Sequence, residues 1–301
     1  MSDHDDTAEL PIVQAEPGPK AAPRLTVEID LGALSDPGRT RKNNEDHFMA
    51  ARFDRSMRTL SSNLPPGYVP AEFLESCYAF LVADGVGGAV AGELASRTAV
   101  QALVDLVLES PTWIMRFDDG YGDQVLQRTE QRFQKAREVL VARAAEDPRL
   151  KGMATTMTFA CSIGHDLLTA HVGDSRAYLF RRDGRLERLT HDQTMAQSLA
   201  DAGAITQEDV EHHPSRHVLT SALATRGAFV QVQLKHSRIE DGDVLLLCSD
   251  GLTEMVPDAT ITRVLGLRER SAETCRRLVE LALEAGGKDN VTVIAARYQI
   301  R

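Results

Sequence analysis

The sequence of 301 residues is poor in features that mark several classes of protein. Its four cysteines lie far apart and mostly within apolar runs, so we expect reduced core residues and neither a disulfide framework nor a zinc knuckle. No apolar run approaches the roughly 18 residues of a membrane span. The start, MSDHDDTAEL, has neither a basic region nor an apolar core, so we expect no cleaved secretion signal and a cytoplasmic location.

Positive charge is also scarce, because 34 Lys and Arg residues are outnumbered by 44 Asp and Glu residues, for a formal net charge of −10. Nucleic-acid binding relies on clustered basic residues, so this balance argues against a nucleic-acid partner. The 43% hydrophobic and 26% charged content is typical of a soluble globular protein. Residues 1–24 are acidic and rich in proline, and we expect a disordered tail there.

Patterns of apolar residues predict the secondary structure of the remaining chain. Alternating or continuous apolar runs predict strands at 25–31, 77–83, 154–163, 167–172, 176–182, 185–189, 229–236, 244–248 and 291–298. Helical spacing predicts helices at 91–109, 123–146, 271–285 and, more briefly, around 194–202. Strands and helices do not alternate strictly, which disfavours a doubly wound parallel sheet and favours antiparallel sheets covered by helices. Segment 54–76 is interpreted as an insertion loop, and 191–227 as largely irregular.

Aspartates lie at the ends of several predicted strands. Asp84 and Asp250 follow continuous apolar runs, Asp174 follows another strand, and Asp289 comes just before the last one. Strand ends in stacked sheets meet at one rim, where carboxylates would repel one another unless cations neutralised them. An all-oxygen ligand set without histidine or thiolate selects Mg²⁺ or Mn²⁺ rather than Zn²⁺.

The same aspartates have a plainer interpretation. Asp-Gly is a common turn dipeptide, and we expect Asp183-Gly184 and Asp241-Gly242 to be turns and nothing more. Position and spacing alone therefore leave a metal site and a set of unrelated turns equally open.

Five motifs surround these acids in a fixed order. They are SDPGRTRKNNED at 35–46, ADGVGG at 83–88, VGDSRAY at 172–178, SDGLTE at 249–254 and KDNVT at 288–292. The set resembles the metal-dependent serine/threonine protein phosphatases of type 2C in their bacterial form, from about Leu25 to Arg297. The resemblance implies an α+β fold, a four-layer α/β/β/α sandwich of two stacked antiparallel sheets flanked by helices. It also implies one catalytic domain over 25–301, with 191–227 as a flap beside the site.

The resemblance further implies a binuclear centre of Mn²⁺ or Mg²⁺. By position in the motifs, Asp84 would bridge both metals. Asp250 and Asp289 would complete the first metal site, and Glu45 with the carbonyl of Gly85 would hold the second.

Further positions match the family in the same way. Asp174 and Glu254 correspond to a third, weaker metal site, which shares Asp250. Asp46 would hydrogen-bond water bound to the metals, and Arg41 would grip the phosphate of the substrate.

Two features of the sequence depart from the pattern or stand outside it. Val86 occupies the position where eukaryotic members carry a histidine, the proposed general acid, so the proton donor to the leaving oxygen is not evident. His212, His213 and His217 suggest zinc at first sight, but Pro214 interrupts any helix that would align them, and we expect a solvated loop.

The function implied by the resemblance is hydrolysis of phosphoserine and phosphothreonine on proteins in the cytoplasm. Such an enzyme would oppose a serine/threonine kinase in signalling and would need neither nucleic acid nor membrane. Two alternatives stay open: a homologue that binds phosphoproteins with little turnover, and a metal-dependent hydrolase of small phosphate esters.

Overall fold

The computed structural model describes residues 26–65, 67–86, 89–110, 122–226 and 230–301, so the predicted tail at 1–24 lies outside the described residues. The strands are β1 (Val27–Asp36), β2 (Asp46–Arg58), β3 (Glu72–Val86), β4 (Ala154–Thr155), β5 (Met157–Ile163), β6 (Asp166–Val172), β7 (Arg176–Phe180), β8 (Leu186–Arg188), β9 (Leu223–Ala224), β10 (Gln233–Arg238), β11 (Val244–Cys248) and β12 (Val291–Ile300). The α-helices are α1 (Ala89–Leu108), α2 (Gly122–Glu146), α3 (Met195–Asp201), α4 (Asp250–Thr253), α5 (Asp258–Gly266) and α6 (Ser271–Glu284).

The strands form two antiparallel sheets in the described part of the chain. One sheet has the order β1-β12-β11-β7-β8, and the other has the order β10-β6-β5-β3-β4-β9, with β2 paired to β3. Strands distant in sequence are neighbours in both sheets, as β1 and β12 illustrate. Such non-local pairing is what brings residues from both ends of the chain to one place.

Three apolar layers separate the sheets and helices. Phe80 of one sheet and Leu247 of the other lie in the layer between the sheets, where the Tyr298 hydroxyl also donates to Ser162 Oγ at 2.9 Å. Helices α1 and α2 pack on the outer face of the β3-containing sheet. Helices α4, α5 and α6 pack on the outer face of the β12-containing sheet. The predicted α/β/β/α sandwich is therefore confirmed.

The segment 54–76 differs from its prediction as an insertion loop. Strand β2 continues to Arg58 and β3 begins at Glu72, so both ends of this segment belong to a long hairpin. Ion pairs join its two strands, Arg55 to Glu75 at 2.9 Å and Arg58 to Glu72 at 2.8 Å. Backbone pairing and opposite charges support this arm without a buried apolar face, so apolar alternation does not reveal it.

Strand ends converge at one rim of the sandwich. Asp46 at the start of β2 pairs with Asp84 near the end of β3, and Cys248 at the end of β11 pairs with Val293 near the start of β12. The described helices include none with the length and apolar character needed to cross a membrane. All four cysteines are buried and free of disulfides.

Candidate metal centre

An open cleft of about 470 Å³ lies at this rim. Every predicted site residue except Asp46 lines it, although the residues come from distant parts of the chain. The lining residues are Arg41, Glu45, Asp84, Gly85, Val86, Asp174, His217, Leu219, Asp250, Glu254, Lys288, Asp289 and Asn290. Folding therefore gathers the acids of all five motifs around one space.

Asp46 lies beneath this cleft and is only 5% exposed. Its Oδ2 accepts a hydrogen bond from Ser249 Oγ at 2.7 Å, whereas its Oδ1 is buried and makes no hydrogen bond within the described residues. Ser249 Oγ also accepts from the backbone N–H of Thr292 at 2.9 Å. The serine before Asp250 thus ties Asp46 to β12, a role that the sequence did not indicate.

Asn290 fixes the loop that carries Arg41 and Glu45. Its Oδ1 accepts from the backbone N–H of Glu45 at 2.8 Å, and its Nδ2 donates to the carbonyls of Pro37 and Asn43, both at 2.9 Å. The side chain is 4% exposed, so these bonds are shielded from water. Sequence reasoning missed this role, and the available signal was an amide side chain directly after Asp289.

Helix α1 supports Glu45 from the other side. Ser96 Oγ donates to the carbonyl of Glu45 at 2.5 Å. Gly92 leaves room for the Glu45 carboxylate, because a Cβ at this position would overlap Glu45 Oε2. The glycine and the serine lie one helical turn apart on the same face of α1 and together define where this carboxylate sits.

Burial and mutual repulsion destabilise the charged form of the acids around the cleft. Burial first, and then the charges of Asp46 and Asp250, raise the pKa of Asp84 well above its usual value. The pKa of Asp46 and that of Asp250 are both raised to about 7, again mainly by burial. Asp174 follows the same pattern, with its pKa raised by burial and by Asp250. Ionising this cluster requires added positive charge.

Arg41 supplies part of that charge. Its guanidinium donates to Asp289 Oδ2 at 2.6 Å, and the arginine side chain remains 53% exposed at the edge of the cleft. The planar guanidinium is therefore anchored to one acid, while about half of the arginine side chain stays accessible to solvent.

His217 stays in an exposed, non-helical segment, as predicted, and it also lines the cleft. Its imidazole contacts the Glu254 carboxylate, and donor atoms of His217, Glu254 and Asp250 all lie within 4.8 Å of one another. The segment is turned back by a bridge between Thr194 and Leu219. This bridge is a tertiary contact that the local sequence does not specify.

The donor chemistry fits divalent cations. The cleft is lined by acidic residues, by Gly85 and by one histidine. Asp250 Oδ1 is buried without a hydrogen-bond partner in the described residues, as is Asp46 Oδ1. Buried carboxylate oxygens without partners are costly, and a bound cation would satisfy them.

Comparison with known proteins gives the family. The profile of the family described as protein phosphatase 2C matches residues 71–285. The chain belongs to this family. The serine/threonine protein phosphatase PstP of Mycobacterium tuberculosis is 37% identical over 273 residues, which cover 91% of this chain and 46% of PstP. The serine/threonine phosphatase stp of Listeria innocua is 34% identical over 214 residues, 71% of this chain and 82% of that protein.

Solved structures of bacterial serine/threonine phosphatases share the fold. The crystal structure of the M. tuberculosis phosphatase PstP/Ppp aligns with a TM-score of 0.71 at 35% identity, covering 89% of this chain and 98% of that one. The catalytic domain of PstP in complex with two manganese ions aligns with a TM-score of 0.70 at 32% identity, covering 91% and 100%. The chain spans about half the length of the full PstP sequence, 46%.

Proposed function

We propose that this chain hydrolyses phosphoserine and phosphothreonine monoesters on proteins, using a pair of Mn²⁺ or Mg²⁺ ions. The observation that carries the proposal is the convergence of acids from five separate motifs, together with Arg41, around one open cleft. The family and the two manganese ions in the PstP catalytic domain support it. A serine/threonine kinase would be the opposing enzyme, and both would act in the cytoplasm.

The proposal assigns the metal ligands as the motifs suggest. Asp84 would be shared by two ions, with Asp250 and Asp289 on the first and Glu45 and the Gly85 carbonyl on the second. Bound there, such ions bind phosphate oxygens, lower the pKa of the attacking water and offset developing negative charge.

The remaining residues have positioning and binding roles. Asp174 and Glu254 would contribute to a third, weaker site beside Asp250, and His217 stands close enough to add a nitrogen donor. Arg41 would hold the phosphate through N–H groups that its bond to Asp289 leaves available. The unpartnered Oδ1 of Asp46 is free to accept a hydrogen bond from water.

The charge of the cleft accounts for the dependence on cations. Without them, burial first and then neighbouring acids raise the pKa of Asp84 and that of Asp250, and the ionised cluster would repel a phosphate dianion. Hydrolysis of phosphate monoesters is among the slowest uncatalysed reactions and needs a barrier reduction of roughly 20 kcal/mol or more. Cations bound by the carboxylates would change the local potential from negative to positive and so favour an anionic substrate.

A phosphopeptide assay tests the proposal. Purified protein should release phosphate from phosphothreonine and phosphoserine peptides with Mn²⁺ and lose this activity with a chelator. Asp84→Asn and Asp250→Asn should each lower turnover by roughly 10²–10³-fold, the scale expected for one preorganised electrostatic contact. Asp183→Asn is a matched control, because Asp183 lies in an exposed turn where its carboxylate accepts from Arg185.

Each other outcome points to an alternative. Metal binding without phosphate release would indicate a phosphoprotein-binding homologue. Faster hydrolysis of nucleotides than of phosphopeptides would indicate a small-ester hydrolase. Full activity in Asp84→Asn would overturn the metal assignment itself.

A further inference from the structure

Thr156 holds the backbone of Asp84 from both sides. It lies between β4 and β5 and is 1% exposed. Its backbone N–H donates to the carbonyl of Asp84 at 2.8 Å, and its Oγ1 accepts from the backbone N–H of Asp84 at 3.0 Å. Thr155 Oγ1 donates to the same carbonyl at 2.7 Å. The backbone of Asp84, which carries its carboxylate, is therefore hydrogen-bonded to this pair of threonines.

The Thr156 hydroxyl also reaches the turn that carries Asp174. Its Oγ1 lies 2.9 Å from Ser175 Oγ, and Ser175 is fully buried. A hydroxyl has one proton to donate and two lone pairs, so Oγ1 has the capacity for both bonds. Gly173, at φ 113°, packs directly on Thr156, because a Cβ there would lie 2.6 Å from Thr156 Cβ. The turn and the end of β3 are joined through one side chain.

The other end of the turn is held by a buried imidazole. His171 is hydrogen-bonded through Nδ1 to Thr158 Oγ1 at 2.8 Å and through Nε2 to the carbonyl of Gly173 at 2.9 Å. A neutral imidazole donates at one nitrogen and accepts at the other, so Nε2 donates to Gly173 and Nδ1 accepts from Thr158. Because both ends of the turn are hydrogen-bonded, the turn cannot easily shift to compensate for a change at Thr156.

We propose that the Thr156 hydroxyl is a positioning group that sets the carboxylates of Asp84 and Asp174 relative to each other for cation binding. The inference rests on the proposed function only for the choice of Mn²⁺ as the cation. Without the hydroxyl, the backbone N–H of Asp84 loses its acceptor and Ser175 loses a partner. Both carboxylates remain present, but the hydroxyl that connects the backbone of Asp84 to the turn of Asp174 is lost.

Thr169 provides a matched comparison. It lies on β6, two residues before His171, and is 1% exposed like Thr156. Its Oγ1 makes no hydrogen bond within the described residues. Thr169→Val therefore removes a buried threonine hydroxyl, as Thr156→Val does, but one that contacts neither Asp84 nor Asp174.

Mn²⁺ binding, measured from the electron paramagnetic resonance signal of the free ion, tests the proposal independently of turnover. Thr156→Val should bind Mn²⁺ about tenfold more weakly than the wild type, the scale set by one unmet buried hydrogen-bonding group. Thr156→Ser, which keeps the hydroxyl, should bind close to the wild type, and so should Thr169→Val. Thermal unfolding in chelator identifies any general loss of stability. If Thr156→Val does not fold, Ser175→Ala removes the hydrogen bond between Thr156 Oγ1 and Ser175 Oγ from its other end.

The outcomes separate this inference from the proposed function. Wild-type Mn²⁺ affinity in Thr156→Val, or an equal loss in Thr156→Ser, would overturn the role of the hydroxyl and leave the phosphatase proposal standing. An equal loss in Thr169→Val would also overturn it. Absence of Mn²⁺ binding by the wild type would overturn both.

Discussion

The Arg41 guanidinium donates to Asp289 Oδ2 at 2.6 Å, joining a residue expected to bind phosphate to one expected to bind metal. The two are 248 residues apart in sequence. A cation approaching Asp289 therefore meets a carboxylate that already has a positive partner. The pair links cation binding to the position of the arginine.

We expect Arg41→Ala to bind Mn²⁺ at least as tightly as the wild type, because Asp289 loses its competing positive charge. Its kcat/KM on a phosphopeptide should nevertheless fall by roughly 10²-fold, since a charged hydrogen-bonding contact to phosphate is lost. Calorimetric titration with Mn²⁺ and steady-state kinetics measure the two effects.

Arg55→Ala is the control for Arg41, since Arg55 pairs with Glu75 on the β2–β3 hairpin and does not line the cleft. It should leave both quantities unchanged. Weaker Mn²⁺ binding in Arg41→Ala would contradict the competition between the arginine and the cation.

The acids predict how stability depends on pH. The pKa of Asp46 and that of Asp250 rise from 3.8 to about 7 on folding, mainly through burial. The folded, cation-free protein retains protons that the unfolded chain releases, so the free energy of unfolding should fall as pH rises from about 4 to about 7. Thermal unfolding in chelator should thus give a lower Tm at about pH 7.5 than at about pH 5.

Added Mn²⁺ should oppose that trend, because it binds the ionised acids and so stabilises the folded state most at the higher pH. Asp250→Asn should reduce both the loss of stability and its reversal by Mn²⁺. If the Tm of the protein in chelator rose steadily from about pH 5 to about pH 7.5, the acids would not be buried and protonated in the folded state.

Gly92 gives a prediction opposite to helix propensity. Alanine is favoured over glycine inside helices by about 1 kcal/mol, yet a Cβ at Gly92 would overlap the Glu45 carboxylate. We expect Gly92→Ala to displace Glu45 and to lower turnover by roughly a hundredfold, as a misplacement of about 1 Å does in other active sites.

Gly266→Ala is the matched control for Gly92, because Gly266 lies in α5 and, among the described residues, a Cβ there would meet only Phe180 Cζ, at 3.9 Å. It should keep full turnover. Normal activity in Gly92→Ala would show that Glu45 tolerates another position.

His217 predicts a difference between metals. Imidazole nitrogen suits Zn²⁺ better than Mg²⁺, which prefers oxygen ligands. If His217 joins Asp250 and Glu254 around a cation, His217→Ala should weaken Zn²⁺ binding by roughly tenfold, the scale seen for metal-site partners, and Mg²⁺ binding less. Competition titrations with the two metals measure the ratio of the Zn²⁺ affinity to the Mg²⁺ affinity.

His212→Ala serves as the control for His217, since His212 is exposed in the same segment and does not line the cleft. It should leave the ratio unchanged. An equal loss for both metals in His217→Ala would argue that the histidine acts only through its contact with Glu254.

Apolar patterns were a good guide where one face of a helix, or both faces of a strand, are buried. The long helices α1, α2 and α6 and the buried strand β11 were predicted close to their observed bounds. Strand β2 and helix α5 were not predicted. The outer part of β2 is exposed and held by backbone pairing to β3, so its side chains carry little apolar signal.

The order of the motifs, the types of acid at the strand ends and, through them, the family can be read from the amino-acid order alone. Which groups meet depends on folding: Asn290 lies beside Glu45, Ser249 on Asp46, and His217 on Glu254. Local patterns record only which face of a strand or helix is buried. Contacts between residues hundreds of positions apart depend instead on how the two sheets pair and stack, which is set by the whole chain.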